Sequence, residues 1–177
     1  MLRLKDYLKT LIFLLSVGFA VYWFSGSSWE KLDGFVVVDG DSLKQGDKRY
    51  RLVGIDAPEL NQTCVKYGKA VPCGQQAKRH LQALLEGQNI SCASEGNDKY
   101  GRILVECQWD TPQSSGEVQR KGFPGFTNSI NAQMVFDGWA IAYGAFRPIE
   151  VAAVLAKRGI WSTEFDTPQE YRRKHDM

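Results

Sequence analysis

Five charged residues sit in or beside turns of the 177-residue chain: Asp41, Arg51, Asp56, Glu59 and Arg102. Two carboxylates with a nearby backbone carbonyl suit a hard cation such as Ca²⁺, which takes only oxygen ligands. A third carboxylate, left free, can position or deprotonate water. Two guanidiniums can hold a phosphate through paired hydrogen bonds and meet the charge that grows on its oxygens. Carboxylate, cation, water and two arginines are the components of phosphodiester hydrolysis, although the same residue types also serve as solvated surface charges. In a regular strand Arg51 and Asp56 point to opposite faces. Joint action therefore requires a bulge or kink, for which Gly54 is the candidate.

The elements that must position these residues are short. Gly34 to Val38 is apolar and β-branched and ends at Asp39-Gly40-Asp41-Ser42. A second run breaks at the hairpin-like turn Gln45-Gly46-Asp47-Lys48, and a third strand, Arg49 to Ile55, stops at Asp56-Ala57-Pro58. Gln75 to Leu85 has helical spacing, with Ala77, Leu81, Leu84 and Leu85 on one face and Gly87 at its end. Asn89 to Ala93 and Ile103 to Gln108 form strands four and five, joined through Asp98-Lys99-Tyr100-Gly101. Trp109 to Ser129 reads as a long polar loop. Asn131 to Phe136 and Glu150 to Arg158 read as two further helices, closed near Gly138 and Gly159. Five short strands with three helices predict an α+β domain built mainly on a small barrel.

Composition narrows the setting. Lys and Arg number 22 against 20 Asp and Glu, a net charge of +2, which excludes a strongly basic nucleic-acid coat. The two histidines, His80 and His175, exclude a multi-histidine metal site. Arg3, Lys5 and Lys9 precede an apolar run from Leu11 to Phe24, followed by Ser25-Gly26-Ser27-Ser28. This pattern predicts an N-terminal hydrophobic helix that anchors the chain in a membrane, with a cleaved signal peptide as the alternative. In both cases the remainder lies outside the cytoplasm, periplasmic or extracellular. The expected division is residues 1–30 as signal or anchor, 31–165 as the domain and 166–177 as a tail.

Cys64, Cys73, Cys92 and Cys107 contain no Cys-x-x-Cys, so zinc spacing is not met, and an even number in an exported domain predicts disulfides. Three pairings are possible. A hairpin in which Asp98 faces Gly101 sets Cys92 opposite Cys107 and leaves Cys64 to join Cys73.

Three motifs appear in order: Val38-Asp39-Gly40-Asp41-Ser42, Arg51-Leu52-Val53-Gly54-Ile55-Asp56-Ala57-Pro58-Glu59 and Asp98-Lys99-Tyr100-Gly101-Arg102. They resemble the staphylococcal nuclease (thermonuclease) family, and the resemblance continues through Asn131, Asp137-Gly138-Trp139-Ala140 and Arg158-Gly159-Ile160-Trp161. It implies a five-stranded OB-fold barrel with three helices and Ca²⁺-dependent hydrolysis of DNA and RNA, single-stranded or unpaired, with little sequence preference and a 3′-phosphate product. By resemblance, Asp41 and Asp56 are calcium carboxylates and Ala57 offers its backbone carbonyl. Glu59 orients or deprotonates the attacking water, and Arg51 with Arg102 binds the phosphate. Lys99, Tyr100 and Tyr143 match nucleotide-binding positions.

Departures from the family pattern are Ser42 where Thr is usual, Ala57 where the founding nuclease has Thr, an insertion from Cys64 to Cys73, and a longer 109–129 loop. A monomer is expected. The alternative function is a noncatalytic OB-fold module of the cell envelope that binds nucleic acid or another anionic polymer.

Overall fold

A computed structural model describes residues 7, 9–17, 28–110 and 128–175. Most of the expected loop from 109 to 129, and the second half of the apolar run from Leu11 to Phe24, lie outside these residues. Residues 9–17 are helical (α1). No helix among the described residues is long and apolar enough to cross a membrane.

Turn chemistry sets the second, third and fourth strands. β2 (Val36–Val37), β3 (Ser42–Gln45) and β4 (Lys48–Leu52) form an antiparallel meander. Gln45 pairs with Lys48, so Gly46 and Asp47 make a two-residue hairpin turn with Gly46 at φ 55°. β8 (Ile90–Asn97) and β9 (Ile103–Trp109) form the second hairpin, whose register sets Cys92 opposite Cys107. β9 joins β4 in parallel, and β1 (Trp29–Lys31) lies antiparallel on β8. The result is a mixed six-stranded sheet in the order β1-β8-β9-β4-β3-β2. β1 and β2, only residues 32–35 apart in sequence, occupy its two opposite edges.

The expected third strand is interrupted: β4 ends at Leu52, Val53 and Gly54 turn, and β5 (Ile55–Asp56) restarts against β10 (Ile141–Ala142). The inserted segment forms its own two-stranded sheet, β6 (Cys64–Lys66) with β7 (Lys69–Val71).

Helices cover the sheet. α2 (Cys73–Leu85) buries Ala77, Leu81 and Leu85, the face predicted from their spacing. α3 (Ile130–Phe136) starts at Ser129, whose hydroxyl accepts from the Ala132 N–H. α4 (Arg147–Leu155) buries Ile149 and Ala153. Leu43, Leu52, Leu81, Ile90, Met134 and Ile149 are almost wholly enclosed in the resulting core. Each such burial is worth about 2 kcal/mol relative to exposure.

A fourth helix in this part of the chain, α5 (Pro168–Lys174), forms in the segment read as a tail. Its capping box explains it: the Thr167 hydroxyl accepts from the Glu170 N–H, and the Glu170 carboxylate accepts from the Thr167 N–H.

Candidate active site

The first wall of the site is built by the break in the third strand. Gly54 has φ +72°, and a Cβ there would come within 2.9 Å of the Phe146 ring, so the turn requires glycine on both counts. The break frees the Val53 carbonyl, which accepts from the Asn131 amide at 2.9 Å. That buried amide also donates to the Val105 carbonyl, and its oxygen accepts from the Cys107 N–H. Asn131 thereby fixes the kink to β9 and leaves no buried polar atom of its own unpaired.

The kink brings Arg51 and Asp56 to the same side. Arg51, opposite Ser42 in the ladder, donates from Nη1 to Asp41 Oδ1 and from Nη2 to Asp56 Oδ1, each at 2.7 Å. Asp41 also accepts from the Ser42 hydroxyl at 2.9 Å and from the Ala57 N–H at 3.0 Å. Asp41 and Asp56 are 3% and 1% exposed, so both carboxylates have left water. Burial pushes the Asp41 carboxyl up to about 7, against the pull of Arg51 and with a further push from Asp39 and Asp56. For Arg51, burial works against the charge, but Asp41 and Asp56 outweigh it and raise the guanidinium's pKa.

Glu59 sits on the loop after β5. Its N–H donates to the side-chain oxygen of buried Gln62, whose amide donates in turn to the Asp166 carbonyl at 2.7 Å. A Cβ on Gly74, at the start of α2, would overlap the Glu59 carbonyl, so that glycine lets helix and loop meet. The Cys64–Cys73 disulfide closes the segment between them, and Cys92–Cys107 bridges the β8–β9 ladder.

The second wall is the β8–β9 turn. Asp98 accepts from the N–H groups of Tyr100 and Arg102, each at 2.9 Å, and from Arg102 Nε at 2.7 Å. Slight desolvation raises the Asp98 carboxyl, but these hydrogen bonds outweigh it and hold it below its usual value. Tyr100 is exposed, with Lys99 Nζ 4.9 Å from its ring centroid. The Tyr143 hydroxyl donates to Asp56 Oδ2 at 3.3 Å. Burial and the Asp56 charge both raise its pKa.

Between the walls lies a cleft of about 510 Å³, lined by Asp39, Asp41, Ala57, Pro58 and Glu59, by Tyr100, and by four arginines. Asp56 lies beneath this surface. Two of the arginines, Arg49 and Arg172, were not among the residues singled out in the sequence. Arg49 shares the Arg51 face of β4 by strand alternation and donates to the Tyr100 carbonyl at 3.1 Å. Arg172 arrives on α5. Its Nη2 donates to Asp56 Oδ2 at 2.8 Å, and its Nη1 donates to Asp56 Oδ1 at 3.1 Å and to Glu59 at 2.6 Å. Its hydrogen bonds to Asp56, and then those to Glu59, raise its pKa despite partial burial. The sequence signal was Thr167-Pro168-Gln169-Glu170, which fits a helix start.

The donor chemistry fits a hard divalent cation: Asp41 and Asp56 are buried carboxylates, and Glu59 and the Ala57 backbone adjoin them. Among the described residues no cluster of three or more carboxylate, histidine or cysteine side chains stands ready-made for a metal, and guanidiniums hold the carboxylate oxygens.

A protein of Candida albicans named "Probable endonuclease LCL3" is 27% identical over 169 residues, which cover 86% of this chain and 63% of the relative. The protein of the same name from Schizophyllum commune is 29% identical over 148 residues, covering 75% and 47%. The chain thus spans roughly half to three-fifths of these relatives. The "Succinoglycan biosynthesis protein ExoI" of Rhizobium meliloti is 34% identical over 73 residues, 40% of this chain and 38% of that protein. Residues 49–163 match the family described as Staphylococcal nuclease homologue, a stretch that runs from β4 through Arg51, Asp56, Glu59 and Arg102 to Trp161. This chain belongs to the staphylococcal nuclease homologue family.

Proposed function

We propose that the protein is a calcium-dependent nuclease that hydrolyses phosphodiester bonds of DNA and RNA, single-stranded or unpaired, with little sequence preference. The observation that carries this reading is the bridging of two buried carboxylates, Asp41 and Asp56, by Arg51 at the edge of a cleft that also receives Glu59 and Arg102. Asp41, Asp56 and the Ala57 carbonyl would hold Ca²⁺, whose charge stabilises negative charge on a phosphate and makes a nearby water more acidic. Glu59 orients the attacking water and accepts its proton. Arg51 and Arg102 donate to the phosphate oxygens as their charge grows. Lys99, Tyr100 and Tyr143 hold the nucleotide, with Tyr100 offering an exposed ring to a base. Recognition through backbone charge agrees with weak sequence preference.

In this reading the six-stranded sheet, one strand more than the five expected, curls into an OB-fold barrel. The placement of β1 and β2 at its opposite edges supports that closure. The domain stands outside the cytoplasm as a monomer, held to the membrane by residues 1–30 or released from a cleaved signal. Two disulfides agree with an oxidising compartment.

One observation favours a second reading, a noncatalytic binder of anionic polymers: Arg172 engages Asp56 and Glu59, and four arginines line the cleft. Cleavage of single-stranded DNA and RNA, measured with Ca²⁺ and with chelator, separates the two. Catalysis predicts a calcium-dependent rate that Glu59→Gln lowers about 10²- to 10⁴-fold, with a large loss for Arg102→Ala. Tight polymer binding without cleavage by a calcium-loaded wild type would establish the binding module instead.

A further inference from the structure

α5 lies past residue 163, outside the stretch that matches the family, yet it places a guanidinium on two carboxylates of the site. Arg172 engages both oxygens of Asp56, and the same Nη1 reaches Glu59. Asp56 Oδ1 also accepts from Arg51, and Oδ2 from Tyr143, so each oxygen already serves two donors. A divalent cation would compete for these lone pairs and would be repelled by the guanidinium across a shared carboxylate.

The helix that delivers Arg172 is lightly held. Of its seven residues, Pro168 alone is buried. Its other ties are polar: the Tyr171 hydroxyl to the Asn61 carbonyl at 3.2 Å, the Gln62 amide to the Asp166 carbonyl just ahead of the helix, the solvent-exposed Lys174–Asp166 ion pair, and the Thr167–Glu170 cap. The strongest charge contacts that dock α5 are therefore those to Asp56 and Glu59, the carboxylates at which a cation would act.

We propose that Arg172 is a built-in counterion for the cation carboxylates, and that α5 must lift its guanidinium off Asp56 before a divalent cation can bind there. The inference rests on the reading of Asp41 and Asp56 as cation carboxylates. In the docked state Arg172 neutralises Asp56 and keeps Glu59 tied. Undocking returns both carboxylates to the cleft, so the stability of α5 sets the cation concentration at which the site loads.

The test is calorimetric titration of the full chain, in detergent micelles, with CaCl₂, beside amide hydrogen exchange at residues 169–174. Ca²⁺ is expected to speed exchange across α5 in the wild type. Arg172→Gln is expected to bind Ca²⁺ about tenfold more tightly, the change that follows if about nine molecules in ten are docked. Arg172→Lys, which keeps the charge and loses the two-pronged contact, falls between them. Thr167→Ala removes the α5 cap without altering any charge at the site and is expected to tighten binding by a smaller factor.

Asp56→Asn that abolishes binding, with Arg172→Gln and Thr167→Ala both titrating like wild type, would overturn the inference and leave the cation site standing. Weaker binding by Arg172→Gln would also overturn it, by making Arg172 a support of the loaded site. No binding by either wild type or Arg172→Gln would overturn the calcium reading, and the inference with it.

Discussion

Arg51 and Arg102 face the same cleft from different kinds of support. Arg51 lies in a sheet strand between two carboxylates that are almost fully enclosed, and its own side chain is 19% exposed. Arg102 leaves a turn and pairs with Asp98 four residues earlier, where water still reaches both partners. The bond lengths are the same, 2.7 Å in each pair. What differs is the fate of the charge left behind when a partner is removed. In the first wall it stays buried and uncompensated; in the second, water takes over. One wall is therefore a fixed charge assembly, and the other is a solvated turn that presents Lys99, Tyr100 and Arg102.

The harshest way to break the comparison is Asp56→Ala, which leaves Arg51 and Arg172 facing an emptied buried position. Loss of one partner from a buried ion pair costs about 3–5 kcal/mol, a destabilisation that urea denaturation would measure. A loss no larger than that of a surface substitution would mean that water already enters the first wall. Gly54→Ala tests the kink instead of the charges. A left-handed alanine pressed against Phe146 is expected to cost about 2 kcal/mol and to pull Arg51 away from Asp56.

The pH dependence of metal-free protein should differ in sign between the walls. The Asp41 pKa is raised from 3.8 to about 7, so its contribution is fully present below the unfolded value and is lost as pH rises through about 7. Wild type is therefore expected to lose stability relative to Asp41→Asn between pH 4 and 7, with the difference level above that range. Asp98 is shifted downward, so its contribution is present above pH 3.8 and lost as pH falls below it. Matching slopes for Asp41→Asn and Asp98→Asn in paired pH titrations would erase the distinction. The smallest effect belongs to Asp98→Ala, which gives up three hydrogen bonds at a solvated turn and is expected to lower the thermal midpoint slightly, in high salt as in low, while loosening Arg102.

The parts of this architecture that rest on neighbours in sequence were legible before any coordinates. The Gly46-Asp47 turn, the α2 face and the presence of a hairpin around Asp98–Gly101 are local patterns, but Asn97 faces Ile103, one residue off the register counted from Asp98 and Gly101, and the bulge between Ser94 and Gly96 restores Cys92 opposite Cys107. The need for a kink at Gly54 followed from strand alternation alone. Its fixing by Asn131 did not, because that hydrogen bond spans 78 residues. Arg172 lay further from view: its contacts to Asp56 and Glu59 cross 116 and 113 residues, and an arginine on a polar helix looks like ordinary solvated charge. The segment called a tail held a readable helix start, Thr167 through Glu170, but nothing local says where that helix docks.

The Cys64–Cys73 bond has a consequence for how the molecule survives damage. The most exposed aromatic among the described residues, Tyr67 at 92%, stands at the tip of the β6–β7 hairpin, beside Gly68. A protease that cut the chain there would create two fragments, one ending past Glu59 and one beginning ahead of α2. The sulfur bridge spans that cut, so the nicked protein remains one covalent molecule, and its break shows on a gel only after reduction.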